Sequence, residues 1–394
     1  MKKYLCFFVS CIFITIIFCP TSWAFFWGKS KKIRIGFNIP LTGDIPKVGE
    51  GSKYAAEMLK EQINKDGGLQ VGDKKYMLEF IYEDNESKAE SATAAALKLI
   101  TQNKVLGIIG PQASKQAIPG GEICDSYQTP MISPWSTNPQ TTKGRPYVFR
   151  GCFLDPFQGP VAANFVSSEF GAKKAAVLYD IASDYPKGLA EYFKSAFEKI
   201  HGQGSVVAFE TFTTKDSDFS AQLTNIVKSG ADVLFTPQYY SEVALIAKQA
   251  HELGWNKPIM GSDSWGSAEL MSLCGSDCYG QFFSTHYAAA GAKGATKYFI
   301  EKYKATYSYV PDDVGALTWD ATRLMLMAIQ NAGKITGKLQ KDRDAIKDEL
   351  SKITDFNGIT GKMTFTPEGD PVKCAVVVKI SDKGDFEFYK SVCP

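Results

Sequence analysis

Pro130-Met131-Ile132-Ser133-Pro134-Trp135-Ser136-Thr137-Asn138-Pro139 reads as a short buried strand that runs straight into a polar loop. Just upstream, the apolar run Val105-Leu106-Gly107-Ile108-Ile109 ends in Gly110-Pro111-Gln112-Ala113-Ser114, after which a helical pattern begins. Two such strand ends side by side belong to an open parallel α/β sheet, whose carboxyl edge gathers backbone N–H groups and helix N-termini into a ligand site. Ser114, Ser136 and Thr137 stand at that edge as hydroxyl and amide donors. Donors grouped in this way suit a carboxylate. In the competing reading Ser114 only caps its helix and Thr137 only shapes a turn.

Outward from these loops the chain alternates strand and helix. Lys32–Phe37 is a first strand, followed by the loop Pro40-Leu41-Thr42-Gly43-Asp44 and a helix over 51–65 that stops at Gly67-Gly68. A strand over 76–83 and an Ala-rich helix over 88–102 complete a βαβ series, which implies a parallel sheet covered on both faces. A second series of the same kind follows Tyr147-Val148-Phe149-Arg150. It has helices over 157–170, 186–200, 219–228 and 241–253, and strands over 175–179, 206–212, 232–236 and 258–261. Beyond Gly280 come a strand over 281–287, helices over 295–307, 313–332 and 342–353, and strands over 375–380 and 386–389 joined by the turn Ser381-Asp382-Lys383-Gly384.

The chain has 394 residues, more than one core usually serves, so two lobes are expected. It is 44% hydrophobic and 22% charged with a net charge of +2, which is globular and lacks the basic excess of a nucleic-acid binder. Lys2 and Lys3, the apolar run 4–18 and the small residues Ser22 and Ala24 form a secretory signal with cleavage after Ala24. An uncleaved anchor, or a lipid anchor on Cys11 or Cys19, is the competing reading. Export puts Cys124, Cys152, Cys274, Cys278, Cys374 and Cys393 in an oxidising space, where disulfides are expected. Proximity in the expected fold favours Cys274 with Cys278, Cys374 with Cys393, and Cys124 with Cys152. His201 and His251 lie far in sequence from any cysteine pair, so no metal is expected, and no cofactor. Nucleophile elbow, P-loop and dinucleotide fingerprints are missing from the sequence, which favours a binder over an enzyme.

Pro-Leu-Thr-Gly-Asp at 40–44, Ile-Gly-Pro-Gln-Ala-Ser at 109–114, Ile-Ser-Pro-Trp-Ser-Thr-Asn-Pro at 132–139, Asp-Tyr-Pro-Lys-Gly at 184–188 and Phe-Asn-Gly-Ile-Thr-Gly-Lys-Met-Thr-Phe at 356–365 follow one another in the order of a known family. Together they resemble the leucine/isoleucine/valine-binding type of periplasmic solute-binding protein that serves ABC transporters. The resemblance implies an α/β fold of two doubly wound parallel-sheet lobes joined by three crossover hinges. Lobe 1 would be 32–150 plus 285–357 and lobe 2 would be 151–284 plus 358–394, with hinges near Arg150, Ser284 and Gly358. The implied function is capture of an amino acid, branched-chain or similar, in the cleft and delivery to a membrane permease by a monomer in the periplasm.

The same resemblance assigns the ligand carboxylate to Ser114, Ser136 and Thr137, with Ala113 beside them, and the ammonium group to Asp263 and Tyr185. The pocket wall would draw on Val48, Trp135, Phe157, Tyr239, Tyr240, Trp265 and His286. For Asp263 the bland alternative is a helix cap, for Tyr185 a half-buried loop anchor and for His286 a packed core residue. A sensory module on the same fold, or a binder of an amide, urea or an aromatic acid, is the alternative function.

Overall fold

The computed structural model describes residues 31–267 and 269–394. The expected secretory signal therefore lies outside the described residues. Among the described residues no helix is long and apolar enough to cross a membrane.

The first sheet contains β1 (Lys32–Ile39), β2 (Leu69–Val71), β3 (Lys74–Asp84), β4 (Gly107–Ile109), β5 (Met131–Ser133) and β6 (Val148–Arg150), in the order β2-β3-β1-β4-β5-β6. β2 and β3 form an antiparallel hairpin, and every other pairing is parallel. The last five residues of β1 are all buried, as befits a central strand covered on both faces. Helices α1 (Pro46–Lys65), α2 (Ala89–Thr101) and α3 (Ser114–Ser126) connect these strands. α1 starts five residues before the Gly51 expected from periodicity, because Pro46 is preset for a first helical turn.

The chain then builds α4 (Asp155–Glu169), β7 (Ala175–Asp180), α5 (Asp184–His201), β8 (Val206–Phe212), α6 (Ser220–Lys228), β9 (Val233–Phe235), α7 (Tyr240–Glu252), β10 (Ile259–Gly261), α8 (Leu270–Cys274) and β11 (Phe282–Thr285). After α9 (Gly294–Tyr307), α10 (Asp313–Asn331) and α11 (Leu339–Leu350) it forms the small strands β12 (Phe356–Gly358), β13 (Gly361–Phe365) and β14 (Pro371–Val372), and then the hairpin β15 (Ala375–Ile380) and β16 (Phe386–Val392). The second sheet runs β16-β15-β11-β10-β9-β7-β8. α11 begins three residues ahead of expectation. The Asp342 carboxylate accepts from Thr336 N and Gly337 N, which folds its first turn back onto the loop before it.

One apolar core joins the first sheet to α9, α10 and α11, and another lies between the second sheet and helices α4 and α5. Ile359, Met363 and Phe365 belong to the first of these cores, and Phe365 N donates to Ile353 O at 3.1 Å. The chain then enters the second sheet at β15, after β14. Buried polar groups tie this third passage to the first. Arg150 donates through Nε to Asp370 at 2.5 Å, Arg150 N donates to Gly369 O at 3.1 Å, and Lys373 Nζ donates to Gly151 O at 3.2 Å.

Cys274–Cys278 and Cys374–Cys393 are disulfides. The expected Cys124–Cys152 bond is not formed. Cys124 packs among Ala96, Met131 and Val148 in one cluster, whereas Cys152 lies in another with its thiol on Ser136 O at 3.2 Å. Burial pushes the Cys124 thiol up to about 12, so it is unreactive at neutral pH. Peptide mapping under non-reducing conditions should find both disulfides, with Cys124 and Cys152 alkylated only after denaturation. A Cys124–Cys152 peptide would contradict the structure.

Candidate functional site

In a parallel sheet all carboxyl ends point one way, so adjacent strands deliver their following loops to the same place. β4 and β5 pair at Ile108–Met131 and Ile109–Ile132. Ala113-Ser114 and Trp135-Ser136-Thr137 therefore emerge side by side. The turn out of β4 uses Gly110 at φ 92°, where a Cβ would lie 2.2 Å from Asn38 O, so no other residue fits without moving backbone. Ser114 Oγ and Ser136 Oγ are 2.8 Å apart, and Ser136 Oγ reaches Thr141 Oγ1 at 2.6 Å. A fully buried Arg150 holds this loop from behind by donating to Ser136 O (2.6 Å), Asn138 O (3.0 Å) and Thr142 Oγ1 (2.8 Å).

The second sheet contributes in the same manner. Its neighbouring strands β7, β9 and β10 deliver Tyr185, Tyr239 and Asp263. Asp263 is 1% exposed. Its Oδ1 accepts from the Tyr185 hydroxyl at 2.6 Å and from Gln158 Nε2 at 2.8 Å, and its Oδ2 lies 3.4 Å from His286 Nε2. Ser262 Oγ and Ser264 Oγ flank the Tyr185 hydroxyl at 2.7 and 3.1 Å. Burial pushes the His286 imidazole down to about 4, against the opposing pull of Asp263, so the ring is neutral at pH 7 and leaves the carboxylate's charge uncompensated. Phe153 packs against that ring with centroids 3.9 Å apart.

Ala113, Ser114, Trp135, Tyr185, Tyr239 and Asp263 line one small cavity. All six are among the residues expected from sequence. Ser136 stands behind Ser114 in the hydroxyl chain. Thr137 is buried, and its Oγ1 lies beside the Asp155 carboxyl without forming a hydrogen bond. Five of the expected wall residues do not line the cavity, His286 among them. Val48 and Tyr240 pack in the cluster behind Trp135, and Trp265 donates to Thr236 O at 3.2 Å within the second-sheet core. Phe157 also stays away, half-buried against Phe153.

Gln158, Asp155 and Asp313 are residues of this neighbourhood that the sequence reading did not single out, and Arg150 was expected only as a hinge position. Asp313 is buried, with Oδ1 unpartnered and Oδ2 accepting from Thr285 Oγ1 at 3.1 Å, and burial holds its carboxyl well above the usual range. Only their position at the starts of α4 and α10, the elements entered directly from chain passages, could have drawn attention to Asp155 and Asp313.

The comparisons with known proteins fit this geometry. A family model described as periplasmic binding protein matches residues 32–385. The chain belongs to the periplasmic binding protein family. A Leu/Ile/Val-binding protein of Rhizobium johnstonii is 30% identical over 345 residues, covering 86% of this chain and 88% of that one. Among solved structures, a leucine-binding protein of Thermotoga maritima aligns at 33% identity and a TM-score of 0.84, covering 92% of this chain and 99% of its own. A branched-chain amino acid transporter substrate-binding protein of Streptococcus pneumoniae in complex with isoleucine aligns at 32% identity and a TM-score of 0.84, covering 92% and 100%. The two-lobed α/β fold is thus that of periplasmic binding proteins.

Asp155 gives this periplasmic binding protein a pH signature. Burial pushes its carboxyl up to about 8, the Thr137 hydroxyl and the Arg150 charge oppose that rise, and Asp263 adds to it. A carboxyl raised in the folded state contributes its full stability below the unfolded value near 4 and loses it as pH rises through 8. Asp155→Asn should therefore melt like the wild type at pH 4 and progressively higher as pH rises, gaining on the order of 5 kcal/mol by pH 8. A melting difference that does not change with pH would contradict this assignment.

Proposed function

We propose that the chain captures an α-amino acid, branched-chain or similar, between its two lobes and presents it to an ABC-transporter permease in the membrane. The observation that carries this reading is the opposition of two chemistries across one cavity. The first-sheet side presents the Ser114 hydroxyl at the cavity, with Ser136 behind it in the same hydroxyl chain, matched to a carboxylate. The second-sheet side offers an acceptor-only Asp263 whose protein partners are all neutral, matched to an ammonium group. A zwitterion with both charges on one carbon satisfies both ends at once. The amino-acid ligands named for the relatives from Rhizobium johnstonii and Streptococcus pneumoniae support the same class.

Capture would work through closure. Ligand held by one lobe alone gains half of the contacts, and a ligand shifts an open–closed equilibrium only by its differential affinity for the two forms. Bridging both lobes supplies that difference. We place the hinges in the three passages, near Arg150, after Thr285 and within 366–374, where short segments can absorb the rotation.

Asp263→Asn keeps the side-chain shape and removes the charge. Loss of one member of a buried charge pair typically costs about 2–5 kcal/mol. Calorimetry should register that loss in ligand affinity, and small-angle scattering should show ligand-induced compaction weakened or abolished. Unchanged affinity with normal compaction would remove Asp263 from the ammonium site and favour an uncharged amide or a simple carboxylic acid as ligand.

A further inference from the structure

We propose that Gln158 is a positioning residue for ligand binding, which clamps Oδ1 of Asp263 so that Oδ2 is left to receive the ligand's ammonium group. This inference rests on the amino-acid reading given above. Gln158 does not line the cavity, so its effect on the ligand runs through Asp263, which does.

The two oxygens of Asp263 are in different situations. Oδ1 accepts from Gln158 Nε2 at 2.8 Å and from the Tyr185 hydroxyl at 2.6 Å. Among the described residues Oδ2 has only the long approach of His286 Nε2 at 3.4 Å. An ionised carboxylate is acceptor-only, with about four lone-pair sites over its two oxygens. The protein's donors are therefore gathered on Oδ1, and Oδ2 keeps most of its capacity for a cation. A neutral amide orients the carboxylate without supplying charge. A basic residue in its place would pair with Asp263 from inside the protein and compete with the ligand.

The neighbours also fix which end of the amide faces the carboxylate. Ionised Asp263 cannot donate, so the fully buried Gln158 side chain turns its NH2 group toward it. The second N–H reaches Ser284 Oγ at 2.9 Å, on β11, the strand beside β10. Both amide protons are thus engaged, while Gln158 Oε1 finds no partner among the described residues. The two donors on Oδ1 are locked to each other through their helices. Gln158 lies near the start of α4 and Tyr185 near the start of α5. Next to Gln158, Gly159 approaches α5 so closely that a Cβ there would lie 2.6 Å from Tyr192 Cβ and 2.8 Å from Phe193 N. Only glycine permits that approach, and it sets the depth at which α4 holds Gln158 against the carboxylate.

Calorimetry of the full mature chain, freed of carried-over ligand, against glycine, L-alanine, L-valine, L-leucine and L-isoleucine tests this, with thermal melting of each unliganded protein beside it. Gln158→Met keeps the length and removes the donor, and should weaken the tightest-binding amino acid of the panel about tenfold or more. Gln158→Lys should weaken it by about a further tenfold, because its own ammonium pairs with Asp263 in place of the ligand's, and yet melt no lower than Gln158→Met. A merely structural role would make affinity follow melting temperature across the two variants. If Gln158→Met fails to fold, Ser284→Ala, which frees the second amide proton, takes its place and should weaken binding about threefold or more. Wild-type affinity in Gln158→Met, or in Ser284→Ala where that variant stands in, overturns the positioning role and leaves the amino-acid reading intact, as does a ranking of affinities that follows the ranking of melting temperatures. Binding of no amino acid in the panel by the wild type overturns that reading itself, and the role of Gln158 with it.

Discussion

The Asp263 carboxylate is the constraint on which the cleft depends. It is nearly inaccessible to water, and the groups that reach it are a phenol, an amide and a neutral imidazole. Hydrogen bonds of this kind orient a charge and offset part of its desolvation, but they do not neutralise it. Such a site is biased toward a cation of the right size. Because its three direct partners come from different elements, α4, α5 and the segment after β11, the carboxylate also records whether those elements are assembled.

Arg150 has the complementary place on the other side. Its guanidinium binds the carbonyl groups of the Ser136–Asn138 loop and also Asp370 of the third passage. A planar fork with several fixed donors can do both at once, which a lysine could not. The donor loop and two of the chain passages are consequently tied together. Lys373, which burial pushes down to about 8, adds a second tie through Gly151 O and Thr360 Oγ1.

Much of this arrangement was legible in the sequence, and the reasons differ by residue. Ser114, Trp135, Tyr185, Tyr239 and Asp263 follow strands of parallel sheets, and parallel topology alone brings such positions together. Tyr240 packs in the cluster with Trp135 because adjacent residues at a helix start point about 100° apart, and its neighbour Tyr239 lines the cavity instead. Cys124 and Cys152 flank the same loop in sequence yet belong to different packing clusters, and sequence proximity does not report side-chain direction. Gln158 and the His286–Asp263 contact depend on how α4 and the segment after β11 meet the second sheet's edge. No local pattern encodes that meeting.

The central claim is that one zwitterion satisfies donors on one lobe and a carboxylate on the other. The most direct measurement compares calorimetric affinities for L-alanine, for propionate, which lacks the ammonium group, and for ethylamine, which lacks the carboxylate. The account predicts that L-alanine binds at least a hundredfold more tightly than either truncated compound, since each leaves one buried end of the site unpaired. Propionate or ethylamine binding as tightly as L-alanine would contradict it.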